Sequence, residues 1–195
     1  PSAQDTDEIL RRIKADLHPG QLAFVEDTQT EILALTAGYG AGKTTALAAK
    51  VLTLAILNQG YTGIVMEPTY PMIRDIWMAT FHKYLHQYGI PFTYRTSPLP
   101  EYELHLNKPT RILCRSIKNG NMTAVGVNAA FAVFDEVDIL RLVEAQSAFE
   151  KILGRLREGN VRQFAVASTP EGFRWLFQQF GKPEMQQRED RRLIK

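Results

Sequence analysis

The chain has 195 residues, 45% of them hydrophobic, which is enough apolar material for one domain of ordinary size with a buried core. Lys and Arg number 23 against 21 Asp and Glu, so the net charge of +2 excludes a global basic field, and any nucleic-acid contact must be local. The single cysteine, Cys114, excludes an internal disulfide framework and suits a reducing cytosol; no apolar run is long enough to span a membrane, and the N-terminal PSAQDTDEILRRIK lacks a signal-peptide pattern.

In chain order, apolar runs closed by turn residues alternate with helical patterns, the signature of βαβ units that build a parallel sheet covered by helices on both faces. EILALT, residues 31–36, predicts a buried strand, followed by a glycine-rich turn and a strongly apolar helix from about Lys43 to Asn58, closed by Gln59 and Gly60. GIVMEP predicts a second strand ended by Pro68, and PMIRDIWMATFHKYLHQYG a helix with proline in its first turn and glycine after its last. YELHL and RILCRS, separated by NKPT, predict a β-hairpin inserted between the parallel elements. SIKNGNMTAVGVN, from Ser116 to Asn128, is the longest irregular stretch. FAVFDE predicts a central strand whose apolar run ends in two carboxylates. A helix from about Leu142 to Arg157, the strand QFAVAST, a short helix around Phe173 to Phe180 and a strand beginning in RRLIK complete the order. With no initiator Met and an end inside this last strand, the chain reads as a fragment of a longer polypeptide.

AGYGAGKTT, from Ala37 to Thr45, nearly spells a phosphate-binding loop. Such a loop needs small residues so that successive backbone N–H groups can curl around phosphate oxygens at a helix N-terminus, where the helix dipole also favours anions. Gly38, Gly40 and Gly42, with Tyr39 and Ala41 between them, give that freedom; Lys43 would reach the β- and γ-phosphates, the Thr44 hydroxyl would ligate Mg²⁺, and Thr45 completes the first turn. Ala37 stands where the pattern has its first glycine, and a negative φ there would let alanine fit without strain.

The second half of such a site is a strand ending in acid. Asp135 can hold Mg²⁺ through water, and Glu136 can orient or deprotonate the attacking water, so the pair points to ATP hydrolysis. Gln21 offers an amide donor and an acceptor to an adenine edge, or else serves as an ordinary cap. Ser168 and Thr169, in AST, can bond to the γ-phosphate, the water or Glu136 and so sense hydrolysis, or simply cap the strand before Pro170.

The ordered set LHPGQLAF, AGYGAGKTT, MEPTYPMIRD, FAVFDEVD and ASTPEG resembles the ATPase domain of the large terminase subunit, the DNA-packaging motor of tailed phages, over nearly the whole chain. PTYPMIRD and ASTPEG are the discriminating pieces, since many ATPases share the other motifs. The resemblance implies a P-loop NTPase of the ASCE/RecA-like type, a three-layer αβα sandwich with a mainly parallel central sheet. It also implies Gln21 for adenine, Lys43 and Thr44 for phosphate and Mg²⁺, Asp135 and Glu136 for metal and water, and Ser168 and Thr169 for coupling hydrolysis to movement. ATP and Mg²⁺ are the implied cofactors. Double-stranded DNA, a portal protein on the procapsid, a small terminase subunit and further copies in a ring are the implied partners, with no membrane, in the host cytoplasm. A metal-dependent nuclease domain is expected after Lys195, outside this chain.

Where the family often has an arginine in the phosphate loop, this chain has Tyr39, which invites stacking on nucleotide or a neighbour, or plain packing. Arg141 is then the candidate that reaches an adjacent subunit to meet transition-state charge, with Arg74 and Arg155 as fallbacks. Arg111, Arg115 and Lys118 form the best local basic cluster for DNA. His82 and His86, one turn apart without a third ligand, read as helix-surface residues. DEVD and AST also resemble motifs of two-lobed helicases, which keeps a helicase-type ATPase as the alternative. A scaffold that binds ATP without hydrolysing it is the third reading.

Overall fold

In the computed structural model, which describes residues 3–118 and 126–195, the chain forms eight strands. They are β1 (Ile32–Thr36), β2 (Thr62–Glu67), β3 (Phe92–Arg95), β4 (Glu101–Leu104), β5 (Thr110–Ser116), β6 (Phe131–Asp135), β7 (Gln163–Ser168) and β8 (Arg191–Ile194). They form one sheet in the order β3-β4-β5-β2-β6-β7-β1-β8, parallel from β5 to β8 and antiparallel where β4 pairs with β3 and β5. The central strands are buried on both faces, which is why they read as continuous apolar runs rather than alternating ones.

Helices cover both faces. On one side lie α1 (Ala3–Ala15), α2 (Pro19–Glu26), α3 (Lys43–Leu57) and α5 (Met78–Gln87), whose Ile13, Phe24, Leu47, Leu52 and Phe81 pack against Leu33, Val65 and Val133 of the sheet. On the other side, α6 (Leu142–Leu153) and a short helix around Trp175 bury Phe149, Ile152, Trp175 and Phe180 against Ala34, Ile64, Phe134 and Phe164. This is the three-layer αβα arrangement. Among the described residues, no helix is long and apolar enough to cross a membrane.

α3 is apolar on nearly every face because it is buried nearly all round, and its one interior lysine has a place to go. Lys50, fully buried, donates to the carbonyls of Asp27 at 2.6 Å and Val25 at 3.3 Å, closing the C-terminal end of α2. The helix stops at Asn58, whose Nδ2 donates to Leu54 O and Val161 O while its Oδ1 accepts from the N–H groups of Asn160 and Val161. That side chain fastens the end of α3 to the chain entering β7.

Several expectations need correction. The hairpin of β4 and β5 belongs to a three-stranded meander, because β3 pairs with β4 at the sheet edge, and β5 also pairs in parallel with β2. The helix after Pro68 runs as α4 (Tyr70–Met72), a π-helical turn (Ile73–Trp77) and α5. α6 ends at Leu153, not Arg157, because Gly154 caps it and the chain turns to pair Leu156 with Ala129. His82 is not a plain surface residue: its ring lies 4.7 Å from that of Tyr94 and 5.4 Å from that of Tyr102, in an aromatic cluster beneath the meander. Of the irregular stretch 116–128, residues 119–125 lie outside the described residues.

Candidate functional site

The site forms where β1, β7, β6 and β2 end side by side, at the carboxyl edge of a parallel sheet, where α/β proteins bind ligands. The loop from β1 to α3 turns sharply: Gly40 and Gly42 both have φ of 74°, a left-handed conformation that glycine adopts without penalty. A Cβ on Gly42 would also meet Gln21 Nε2 at 2.7 Å. Ala37 is absent from the residues with positive φ, so its methyl group costs the loop nothing. Ala41 N–H donates to Gly38 O, and Gly42 caps α3, leaving the first-turn N–H groups of Lys43, Thr44 and Thr45 pointing into the loop.

Lys43 curls back over this loop. Its Nζ donates to Gly38 O at 3.0 Å, stands 3.5 Å from Glu136 Oε1 and lies 5.7 Å from the centre of the Tyr39 ring. Thr44 donates its hydroxyl to Asp135 Oδ2 at 2.8 Å, so the helix start and the acidic strand end are in direct contact. Asp135 is buried, its Oδ1 has no partner among the described residues, and burial pushes its carboxyl up to about 7, against the Thr44 hydrogen bond.

Glu136 is the one residue other than glycine with positive φ among the described residues, at 50°. Strain of this kind persists only where the surroundings hold it. Here its N–H donates to Ala167 O at 2.8 Å, and its Oε2 accepts from the Thr169 N–H at 3.0 Å. Thr169 Oγ1 is 3.5 Å from Oε1, and Ser168 Oγ is 3.4 Å from Oε2. The end of β7 thus grips the acidic turn.

Gln21 is buried at the start of α2, where its Oε1 accepts from the His18 N–H and its Nε2 donates to Gly42 O at 3.0 Å. It therefore ties α2 to the phosphate loop. Tyr39 is 79% exposed and donates its hydroxyl to Glu171 at 3.3 Å, linking the loop to the chain after AST. Arg141 stands apart from this cluster, exposed at the start of α6 and paired with Glu144 at 2.8 Å. Arg74 is likewise exposed and pairs with Asp75, while Arg155 is half-buried in the turn after α6. The basic cluster is not one exposed patch: Arg115 is buried and donates to Pro100 O and Cys114 O, while Arg111 is exposed and pairs with Glu101.

Two residues of the site escape a reading of the sequence. Asp138, buried, accepts from the N–H groups of Leu176 at 2.9 Å and Glu171 at 3.3 Å, while its own N–H donates to Ser168 Oγ. The final acid of DEVD is its only signal. Glu67, in MEP at the end of β2, is buried with neither carboxyl oxygen partnered among the described residues, and burial, with Asp135 and Glu136 nearby, pushes its carboxyl well above the usual range.

A strand-loop-helix cradle for phosphate, facing an acidic strand end that a neighbouring strand contacts, defines the class of a P-loop nucleotide-binding domain. The DEAD/DEAH box helicase family profile matches residues 18–171, and the chain belongs to that family. Comparison with curated protein sequences gives no significant match. Among solved structures, the large terminase of a thermophilic bacteriophage is similar over all of this chain and 45% of its own, with TM-score 0.71 and 14% identity. The Thermus phage P74-26 large terminase ATPase domain is similar over 94% of this chain and 82% of its own, with TM-score 0.70 and 16% identity. The RNA-helicase Prp28 from Chaetomium thermophilum, bound to ADP, is similar over 86% and 43%, with TM-score 0.51 and 17% identity. At these identities the likeness is one of fold. The chain spans less than half the length of the first of these terminases.

Proposed function

We propose that this chain is the ATPase domain of a viral large terminase subunit, which hydrolyses ATP to drive double-stranded DNA into a procapsid. The observation that carries the hydrolytic part is the convergence of Lys43, Thr44, Asp135 and Glu136 at one strand edge, with Thr169 on the Glu136 carboxylate. The closer fold likeness to terminases than to Prp28 supports the motor assignment, and the thermophilic-phage terminase having been solved with ADP and with ATP-γ-S supports nucleotide binding.

In this reading the loop N–H groups and Lys43 hold the β- and γ-phosphates, and Gln21 supports the loop beside the adenine. Oxygen ligands suit a hard divalent cation, so the Thr44 hydroxyl would hold Mg²⁺ directly and the unpartnered oxygen of Asp135 would hold it through water. When bound, the ion offsets phosphate charge. Glu136 orients the attacking water and accepts its proton on a carboxylate oxygen as the bond to the γ-phosphorus forms and the bond to the β-γ bridging oxygen breaks. Ser168 and Thr169 feel the change at Glu136 and transmit it along β7. Arg141, exposed and close in sequence to the acidic turn, meets the developing charge from a neighbouring copy in a ring. The procapsid portal, a small terminase subunit and a cytoplasmic site of action in the host belong to the same reading, as does a nuclease domain elsewhere in the full protein.

Family membership keeps a helicase-type ATPase as the second reading. The two are separated by the polymer that drives turnover. Stimulation of ATP hydrolysis by double-stranded DNA, without strand separation, supports the motor; stimulation by single-stranded RNA or DNA with unwinding overturns it. An Arg141→Ala variant with wild-type turnover, and specific activity independent of protein concentration, would remove the role of Arg141.

A further inference from the structure

Resting on the ATPase reading, we propose that Glu67 is a positioning residue for the divalent cation: with Ser116 and the unpartnered oxygen of Asp135 it forms a row of acceptors for the waters that the cation keeps.

The row follows from register. In the parallel ladder Glu67 sits beside Ser116 of β5, and the pairing of Met66 with Phe134 places Glu67 next to Asp135 of β6. Residues paired in a ladder project to the same face, as do residues two apart along a strand. Val65, Cys114 and Val133, each two positions earlier, all lie in the core on the face of the sheet that α3 and α5 cover. Ser116, Glu67 and Asp135 therefore project to the face of the sheet on which α3 begins with Lys43 and Thr44.

All three are buried, Ser116 at 2% and the two acids at 1% exposure. Ser116 Oγ, both Glu67 oxygens and Asp135 Oδ1 have no hydrogen-bond partner among the described residues. Four such atoms in adjacent positions are not explained by packing, because an unpartnered buried carboxyl destabilises a fold that an apolar side chain would serve better. Among the described residues no three His, Cys, Asp or Glu side chains are grouped so that they could hold a metal directly. Acceptors set back from the metal fit Mg²⁺, which loses water reluctantly and keeps several molecules in its shell. Outer partners of this kind change metal affinity by about 10- to 100-fold.

Calorimetric ADP affinity, measured in Mg²⁺ and in EDTA, tests this through the ratio of the two dissociation constants, which by linkage reports the coupling between nucleotide and metal. The wild type is expected to bind ADP more tightly in Mg²⁺. Glu67→Gln should lower that ratio about tenfold, with EDTA affinity and thermal midpoint held or raised, and Glu67→Asp should retain more of the ratio. An unchanged ratio in Glu67→Gln overturns the proposal; should that variant not fold, an unchanged ratio in Ser116→Ala does so. A wild-type ratio of one removes the metal-nucleotide reading itself, and this inference with it.

Discussion

Thr169 donates its backbone N–H to Glu136 at 3.0 Å, so the end of one strand holds the carboxylate that ends the next. Ser168 reinforces the hold by accepting the Asp138 N–H at 3.2 Å. Small displacements of a reacting group cost up to about a hundredfold in rate. Ser168→Ala should therefore lower kcat for ATP by roughly 10- to 100-fold while KM stays near the wild-type value. Steady-state phosphate release against ATP concentration gives both constants.

Asp138 fastens the acidic turn to the chain after β7 through Leu176 and Glu171. Asp138→Ala leaves two N–H groups without their acceptor, at about 1–3 kcal/mol for each buried group. Thermal or urea denaturation is expected to show a loss of roughly 2–6 kcal/mol, and a loss under about 0.5 kcal/mol would mean that the turn is held elsewhere.

Gly42→Ala should abolish nucleotide binding. Its φ of 74° strains any residue with a Cβ, and the methyl group, 2.7 Å from Gln21 Nε2, would push that amide off Gly42 O. ADP titration of the variant is expected to give no saturable binding, with the far-ultraviolet circular dichroism of the wild type. Ala37→Gly, by contrast, should bind as the wild type does.

Lys50 sets a pH dependence away from the phosphate site. Burial lowers its ammonium to about 7, against the pull of Asp27. Between that value and the usual lysine range the unfolded chain binds the extra proton, so stability must rise with pH across this window. The rise is of the order of a few kcal/mol. Lys50→Met should flatten the pH 7–10 profile of urea midpoints, and an equal slope in both proteins would contradict the burial argument.

The central strands are legible in the sequence because they are buried on both faces and end in residues with distinct chemistry, as FAVFDE and QFAVAST do. The phosphate loop is legible for a similar reason: its glycines are needed by the backbone, and two carry the positive φ that explains them. β3 is not, since FTYR is a short edge strand with three exposed residues and no apolar run. α6 reads too long because Leu156 has the apolar spacing of a helix while pairing with Ala129 instead. Arg115 misleads because charge in sequence says nothing of burial; its guanidinium turns inward to backbone carbonyls. Glu67 is hidden for the opposite reason, as an acid closing a strand usually faces water.

The central claim is that the contact of Lys43 with Glu136, beside Thr44 and Asp135, is a hydrolytic site. It is tested most directly by phosphate release from ATP in Mg²⁺, comparing the wild type with Glu136→Gln. Turnover in the wild type, falling by roughly 10²- to 10⁴-fold in the variant while ADP affinity is kept, is the predicted result. Equal turnover in the two proteins would contradict it.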